Sequence, residues 1–221
     1  MTDKKIIISI ARQFGSGGAD TGRLLAADLG INCYDKNILR MTSDSSGIKE
    51  SYFHLADEKA GNRLLYRIVN SLTPEKGAPS FGSDVTNADN LFRFQSEVIK
   101  KLAAEESCVI IGRCADYVLE GYEHLIRIRL FASMEAREAR VRQKNLFPEG
   151  DVLRNIQKMD KERRDYYRYY TGRDWESPEH YDLIINTSEI GPQGAAKIIK
   201  NYLSVRGYDL ASDFPDHTTS C

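Results

Sequence analysis

Short, continuously apolar and β-branched runs recur along the chain. They are Ile6-Ile7-Ile8-Ser9-Ile10-Ala11, Ile31-Asn32-Cys33-Tyr34, Cys108-Val109-Ile110-Ile111-Gly112, residues 124–132 and Tyr181-Asp182-Leu183-Ile184-Ile185-Asn186. Runs of this length and composition, ended by glycine or polar residues, read as buried strands. Between them the apolar spacing becomes helical. Leu24, Leu25, Ala27 and Leu29 follow the first run, with Gly30 where a helix is capped. Leu91, Phe94, Val98, Ile99 and Leu102 form a stripe before the third run. Further helices are expected after Ser133, a plausible N-cap, and over 151–170 and 194–205. In residues 124–132, Arg127 and Arg129 alternate against Ile126, Ile128 and Leu130. Strands interleaved with helices predict an α/β fold: a five-stranded parallel sheet with helices on both faces. A polar break at 42–47, a helix-compatible stretch at 50–72 and a Gly/Pro/Ser/Asn/Asp-rich loop at 73–90 interrupt the alternation. A loop that long is usually functional or mobile. The tail over 206–221 is expected to be ordered only by docking.

The turn after the first strand carries the most chemistry. Gly15-Ser16-Gly17-Gly18 lies between strand and helix, the arrangement that presents backbone N–H groups and a helix N-terminus to a phosphate. Ala19, Asp20 and Thr21 continue the candidate nucleotide-binding stretch. The usual phosphate loop, GxxxxGK[ST], adds a lysine for the β/γ-phosphates and a hydroxyl for Mg²⁺. Here Gly18 stands at the lysine position and Ala19 at the hydroxyl position. Arg12 is the nearest substitute cation, and Ser16, Asp20 or Thr21 the nearest oxygen. A glycine-rich βα turn with no ligand is the competing interpretation.

Composition narrows the rest. The 221 residues suffice for one domain with an embedded subdomain, and a formal net charge of −1 removes any global attraction to nucleic acid or membrane. No apolar run has the length of a spanning helix, and the first residues lead into a strand rather than a signal segment. Cys33, Cys108, Cys114 and Cys221 have neither metal-ligand spacing nor disulfide density, which suits a reducing cytoplasm; Cys33 and Cys108 read as core. In parallel sheets ligands bind beyond the carboxyl ends of the strands. That rule selects 15–20, Asp35, Gly112-Arg113 and Asn186-Thr187. Arginines gather in the C-terminal half: Arg137, Arg140, Arg142, Arg154, Arg163, Arg164, Arg168 and Arg173. Phosphoryl transfer spreads charge over several oxygens and needs such cations, although a solvated helix face explains Arg142 and Arg154 better.

The segments IARQFGSGGADTGRLLAADLGINCYDKNIL, VIIGRCADYVL and MDKERRDYYRYYTGRDWESPEHYDLIINTS resemble the cytidylate kinase-like family over nearly the whole chain. The resemblance implies a nucleoside monophosphate kinase fold. Its P-loop core would span 1–35 and 108–206 with a lid around 147–175, and 36–107 would be an inserted helical subdomain that binds the monophosphate. It implies ATP as phosphoryl donor, Mg²⁺, and small-molecule nucleotides as partners. By that resemblance Gly15, Ser16, Gly17 and Gly18 match the phosphate loop, and Asp35 and Arg40 line the acceptor site. Arg113 matches the arginine of a GRD element that binds the acceptor phosphate; Cys114 replaces its aspartate unless Asp116 stands in. Arg137 and Arg140 fall on the helix leading to the lid as nucleotide-binding candidates. Asp160, Arg163, Arg164 and Asp165 resemble the lid segment, with Asp160 on the acceptor side. Tyr166, Tyr167, Tyr169 and Tyr170 read as packing rather than base stacking.

Two classes of function follow. One is an enzyme that transfers the γ-phosphoryl group of ATP to a nucleoside monophosphate, CMP foremost, using Arg12, Arg113, Arg163 and Arg164. The other is a nucleotide-binding or sensing protein on the same fold with little or no turnover, as Gly18 and Ala19 suggest. The segment 147–175 would close over phosphate, or else be a fixed helix whose arginines pair with Asp160, Glu162 and Asp165.

Overall fold

The computed structural model describes residues 5–35 and 88–210. Arg40, the polar break at 42–47, the stretch 50–72, most of the expected loop at 73–90 and the end of the tail lie outside the described residues. Ile7–Arg12 forms β1, Gly18–Asp28 α1, Asn32–Tyr34 β2 and Ala88–Glu105 α2. Cys108–Ile111 is β3, Ala115–Val118 the short α3, Leu125–Phe131 β4 and Met134–Gln143 α4. Val152–Thr171 is α5, Leu183–Asn186 β5 and Gly191–Val205 α6.

The five strands lie in the order β2-β3-β1-β4-β5. β1 is central, parallel to β3 from Ile7↔Cys108 to Ile10↔Ile111 and to β4 from Ile7↔Leu125 to Arg12↔Leu130. β4 continues in parallel to β5, Ile128 opposite Leu183 and Phe131 opposite Asn186. Parallel pairing brings the chain out of β1, β3, β4 and β5 along one edge, so Arg12, Gly112, Ala132 and Thr187 all leave the sheet on the same side.

Side chains alternate across the sheet, and the two faces differ in kind. On one face Ile8, Ile10, Val109, Ile111, Ile126, Ile128, Leu130 and Ile185 pack with Leu25 and Leu29 of α1 and Ala195, Ile199 and Leu203 of α6. α1 lies so close that a Cβ on Gly22 would meet Ile111 Cδ1 at 2.8 Å. The other face carries Ser9, which is buried, opposite Arg127, and Ala11 opposite Arg129. Arg127 grips Asp182 with its Nε at 3.1 Å and its Nη2 at 2.9 Å, and its own N–H donates to the same carboxylate at 2.7 Å.

Residues 1–33 and 107–221 form one compact unit and 34–106 a second, the boundary falling within β2. In the second unit Val98, Ile99 and Leu102 of α2 are fully buried, and the Tyr34 hydroxyl donates to Glu106 at 2.6 Å. The helix expected over 91–104 is present, but it begins at Ala88, inside the expected loop. α6 likewise begins at Gly191 rather than 194, because Pro192 sits in a first turn, where its missing N–H leaves nothing unpaired. Ser133 caps α4 as expected, its Oγ accepting from the Ala136 N–H at 3.3 Å. Beyond α6, Tyr208 folds back into the core, its N–H donating to Leu203 O at 3.1 Å. Among the described residues no helix is long and apolar enough to cross a membrane.

Candidate functional site

The turn from β1 to α1 is held through both its carbonyl oxygens and its first N–H groups. Arg12 O accepts from Arg163 Nη1 at 2.9 Å, and Gln13 O from Ser16 Oγ at 2.8 Å. Phe14 O accepts from Arg137 Nε and Ser16 O from Thr187 Oγ1, each at 2.7 Å. These carbonyls are thus engaged by α4, α5, the β5–α6 turn and the loop's own Ser16. Phe14 N–H is taken by Asp160 Oδ1 at 2.7 Å and Ser16 N–H by Gln13 O at 3.3 Å. The first helical bond, Thr21 N–H to Gly17 O at 2.9 Å, leaves the N–H groups of Gly18, Ala19 and Asp20 ahead of any intrahelical acceptor. Those donors and the helix dipole coincide at one point, a ready anion site. Gly17 makes the turn possible: its φ is 81°, and a Cβ there would lie 2.8 Å from Pro192 Cγ.

Behind the loop lies a buried ion pair. Asp160 of α5 and Arg137 of α4, with 11% and 5% of their side chains exposed, bond directly, and each also takes one backbone group of Phe14. The carboxylate and guanidinium are thereby committed to loop position. Arg140 donates to Thr187 Oγ1 at 3.1 Å and to the carbonyls of Thr187 and Ser188. Burial lowers its pKa, yet an arginine there stays charged. Asp20, in the first turn of α1, bonds Lys144 and Arg23. Burial pushes its carboxyl up, but those two cations outweigh burial and hold it below the usual carboxylate range.

The hydroxyls read from sequence as possible metal ligands are folded into the loop. Ser16 and Thr21 are both fully buried, and Thr21 Oγ1 donates to Gly17 O at 3.1 Å. Ala19 offers no side-chain oxygen, and the Asp20 carboxylate, the loop's partly exposed oxygen donor, is held by Arg23 and Lys144. No cluster of three His, Cys, Asp or Glu suited to a metal occurs among the described residues.

The turn after β3 is strained. Gly112, Arg113 and Cys114 have φ of 73°, 61° and 52°, three successive left-handed residues of which two carry a Cβ. Each non-glycine residue in that region costs on the order of 1 kcal/mol or more, and persists only where its surroundings enforce it. The enforcement comes from α3: Ala115 N–H bonds Gly112 O at 3.1 Å and Val118 N–H bonds Cys114 O at 2.8 Å. Asp116, 6% exposed, anchors α3 by accepting from the Tyr167 hydroxyl at 2.6 Å. Burial raises the Asp116 carboxyl against the opposing pull of that hydroxyl, and burial raises the Cys114 thiol out of reactive range. Asp116 thus faces Tyr167 of α5. Arg113 itself is half-buried at the strand end. Asp35 follows β2 and belongs to the second unit, and Arg40 lies outside the described residues.

α5 is docked along a single face. Val152 and Ile156 pack with Val141, Phe14 and Phe147. A turn further on, Asp160 meets Phe14 and Arg137; Arg163 bonds Arg12 O and lies 5.4 Å from the Phe14 ring centre; Tyr167 meets Asp116. Of the carboxylates expected to pair along this helix, Glu162 and Asp165 meet Lys158 and Lys161, whereas Asp160 pairs across to α4. Arg164 is exposed and 3.7 Å from Glu176, which also receives Arg129 at 3.1 Å. Tyr166 and Tyr170 pack edge to face at 4.7 Å, and Tyr169 on Tyr170 at 4.8 Å, as an aromatic cluster rather than a stacking platform.

The sequence profile of the Cytidylate kinase-like family matches residues 7–189. A cytidylate kinase from Thermococcus kodakarensis is 33% identical over 99 residues, 44% of this chain and 50% of that protein. The chain therefore spans about half the length of that curated relative. The crystal structure of an uncharacterized protein from Eubacterium ventriosum superposes with a TM-score of 0.65 at 25% identity, covering 90% of this chain and 99% of the other. Shikimate kinase from Acinetobacter baumannii, solved with shikimate, gives 0.50 at 13% identity over 94% and 97% of the two chains, a likeness of fold alone.

Proposed function

Because the chain belongs to the cytidylate kinase-like family and has the P-loop nucleoside monophosphate kinase fold, we propose that it is a nucleotide kinase. It would transfer the γ-phosphoryl group of ATP to a nucleoside monophosphate, with CMP the first acceptor to test. The observation that carries this reading is the loop whose carbonyl oxygens are pinned at Arg12, Gln13, Phe14 and Ser16, leaving N–H groups and the α1 N-terminus for the donor phosphates. In the reaction an oxygen of the acceptor phosphate attacks the γ-phosphorus in line. The bond from that phosphorus to the β–γ bridging oxygen breaks, and its electron pair stays on the β-phosphate of the departing ADP. No side-chain nucleophile takes part. Magnesium would accompany ATP and offset the charge of its phosphates, with Asp20 the partly exposed carboxylate of the loop.

Each part of the site has a task in this reading. Gly15, Ser16, Gly17, Gly18, Ala19, Asp20 and Thr21 form the phosphate cradle and the helix start beneath it. Arg113 would receive the acceptor phosphate, and Asp35 and Arg40 are acceptor-side candidates by the family resemblance alone. Asp160, Arg137 and Arg140 would act through the loop, as positioning residues that keep its N–H groups aimed. Arg163 braces the end of β1, and the exposed Arg164 would neutralise developing charge.

The test is a panel of the common nucleoside monophosphates, each incubated with ATP and Mg²⁺ and read by diphosphate formation. Gly17→Val, whose Cβ would strike Pro192, serves as the variant that cannot bind the donor. Turnover of one monophosphate, lost in Gly17→Val, is the expected result. ATP binding without turnover of any monophosphate would instead establish a nucleotide-binding protein that does not catalyse transfer.

A further inference from the structure

We propose that Arg12 is the cation that bridges donor and acceptor phosphates, and that Gly18 and Gly112 are glycines so that its side chain can reach that position. The inference rests on the kinase reading and concerns where the loop's missing positive charge has gone. A Cβ on Gly18 would lie 2.5 Å from Arg12 Cβ and 2.7 Å from its Cγ. The arginine stem therefore fills the volume from which a lysine at position 18 would depart. A Cβ on Gly112 would fall on Arg12 Nη1, with Cζ 3.1 Å away. The side chain thus runs from the end of β1 across the first residue of α1, and its guanidinium stops against the turn that carries Arg113.

The sheet explains why this path exists. β1 and β3 are neighbours in parallel register, Ile10 opposite Ile111, so Arg12 and the Gly112-Arg113 turn emerge side by side. Arg163 Nη1 bonds Arg12 O at 2.9 Å and fixes the backbone from which the side chain departs. The aliphatic stem of Arg12 passes the helix start suited to the donor phosphates, and its guanidinium lies beside the turn suited to the acceptor phosphate. A planar guanidinium can offer separate N–H groups to two anions at once, which an ammonium on a flexible stem does less well. Arg12 stays protonated throughout and exchanges no proton; it lowers the cost of bringing two phosphate groups together. A lysine at 18 and an arginine at 12 exclude each other sterically, so the sequence GSGG is a relocation of charge and not its loss.

The experiment compares Arg12→Ala, Arg12→Lys, Gly18→Lys and the double variant Arg12→Ala/Gly18→Lys with the wild-type chain. Binding of ATP and of a dinucleoside polyphosphate, which carries both nucleosides on one phosphate chain, is measured by calorimetry, and kcat and KM with the accepted monophosphate. Arg12→Ala should lower kcat about a hundredfold to a thousandfold. It should also weaken the dinucleoside polyphosphate about tenfold or more beyond its effect on ATP, because only that ligand spans both sites. Arg12→Lys should fall between. Gly18→Lys alone should lose ATP binding, and the double variant should recover part of the kcat lost in Arg12→Ala by restoring a lysine to vacated space. Equal losses for ATP and the dinucleoside polyphosphate, or wild-type kcat in Arg12→Ala, would overturn the proposal. A double variant that folds with the wild-type Tm and is no better than Arg12→Ala would overturn it too. If the wild-type chain transfers to no monophosphate, the kinase reading fails by itself, and the two binding constants still decide whether Arg12 spans both phosphate positions.

Discussion

At the scale of single residues, the loop backbone is held by a buried pair of opposite charges. Asp160 and Arg137 are buried together, and between them they hold both backbone groups of Phe14. A buried pair adds little net stability over an apolar pair, but removing one member strands the other charge and costs about 3–5 kcal/mol. Asp160→Ala should therefore lower the free energy of unfolding by roughly that amount, measured in urea. Replacing both residues, Asp160→Leu with Arg137→Met, should restore most of the stability without restoring nucleotide affinity, because Phe14 loses its two anchors. Full recovery of affinity in the double variant would mean that the pair supports the core and has no part in aiming the loop.

At the scale of the element, α5 behaves as a strut over most of its length. Its buried row from Val152 through Ile156 and Asp160 to Tyr167 touches α4, the phosphate loop and α3 in turn. Lifting that row would expose Asp160 and Asp116 without partners, so motion is cheapest beyond Tyr167. There Arg168 and Tyr169 are exposed, the latter at 70%, and the helix ends at Gly172 with a left-handed φ of 69°. Hydrogen exchange should show slow amides over 152–167 whether or not ATP and a monophosphate are present. Ligand-dependent protection should be confined to about 168–172, the exposed end of the helix, because Arg173 and the buried Trp175 beyond it are held by Glu120 and Tyr181. Protection rising along the whole of 152–171 on adding both nucleotides would show the entire helix to be a lid.

At the scale of the whole molecule, parallel packing brings β1, β3, β4 and β5 to one edge, and the site is what gathers there. Acid should loosen the sheet at its other edge, where Asp182 precedes β5. The Asp182 carboxyl is raised by burial but lowered further by its bonds to Arg127, so its folded pKa lies below the unfolded value. The unfolded chain then takes up the proton first. The stability contributed by Asp182 is present above about pH 4 and lost as pH falls through the depressed folded pKa. Asp20 has the same sign, whereas the raised Asp116 works the other way. Urea midpoints should drop between pH 6 and pH 3, and Asp182→Asn should flatten that drop; an unchanged slope would assign acid sensitivity to other carboxylates. The strand runs, the glycine turn and the Ser133 cap were legible in the sequence because periodicity, φ > 0 and capping are local properties of neighbouring residues. Arg12 and Arg113 could be picked out as well, since each sits at a strand end. Local sequence carried no trace of Asp160 pairing with Arg137, Thr187 holding Ser16 O, or Asp116 facing Tyr167, because these partners are separated by 23, 171 and 51 positions. The absent lysine is the sharpest case. The sequence determined that Gly18 could not carry a charge; only the tertiary structure decided why, by running the Arg12 side chain through the space a lysine would have needed.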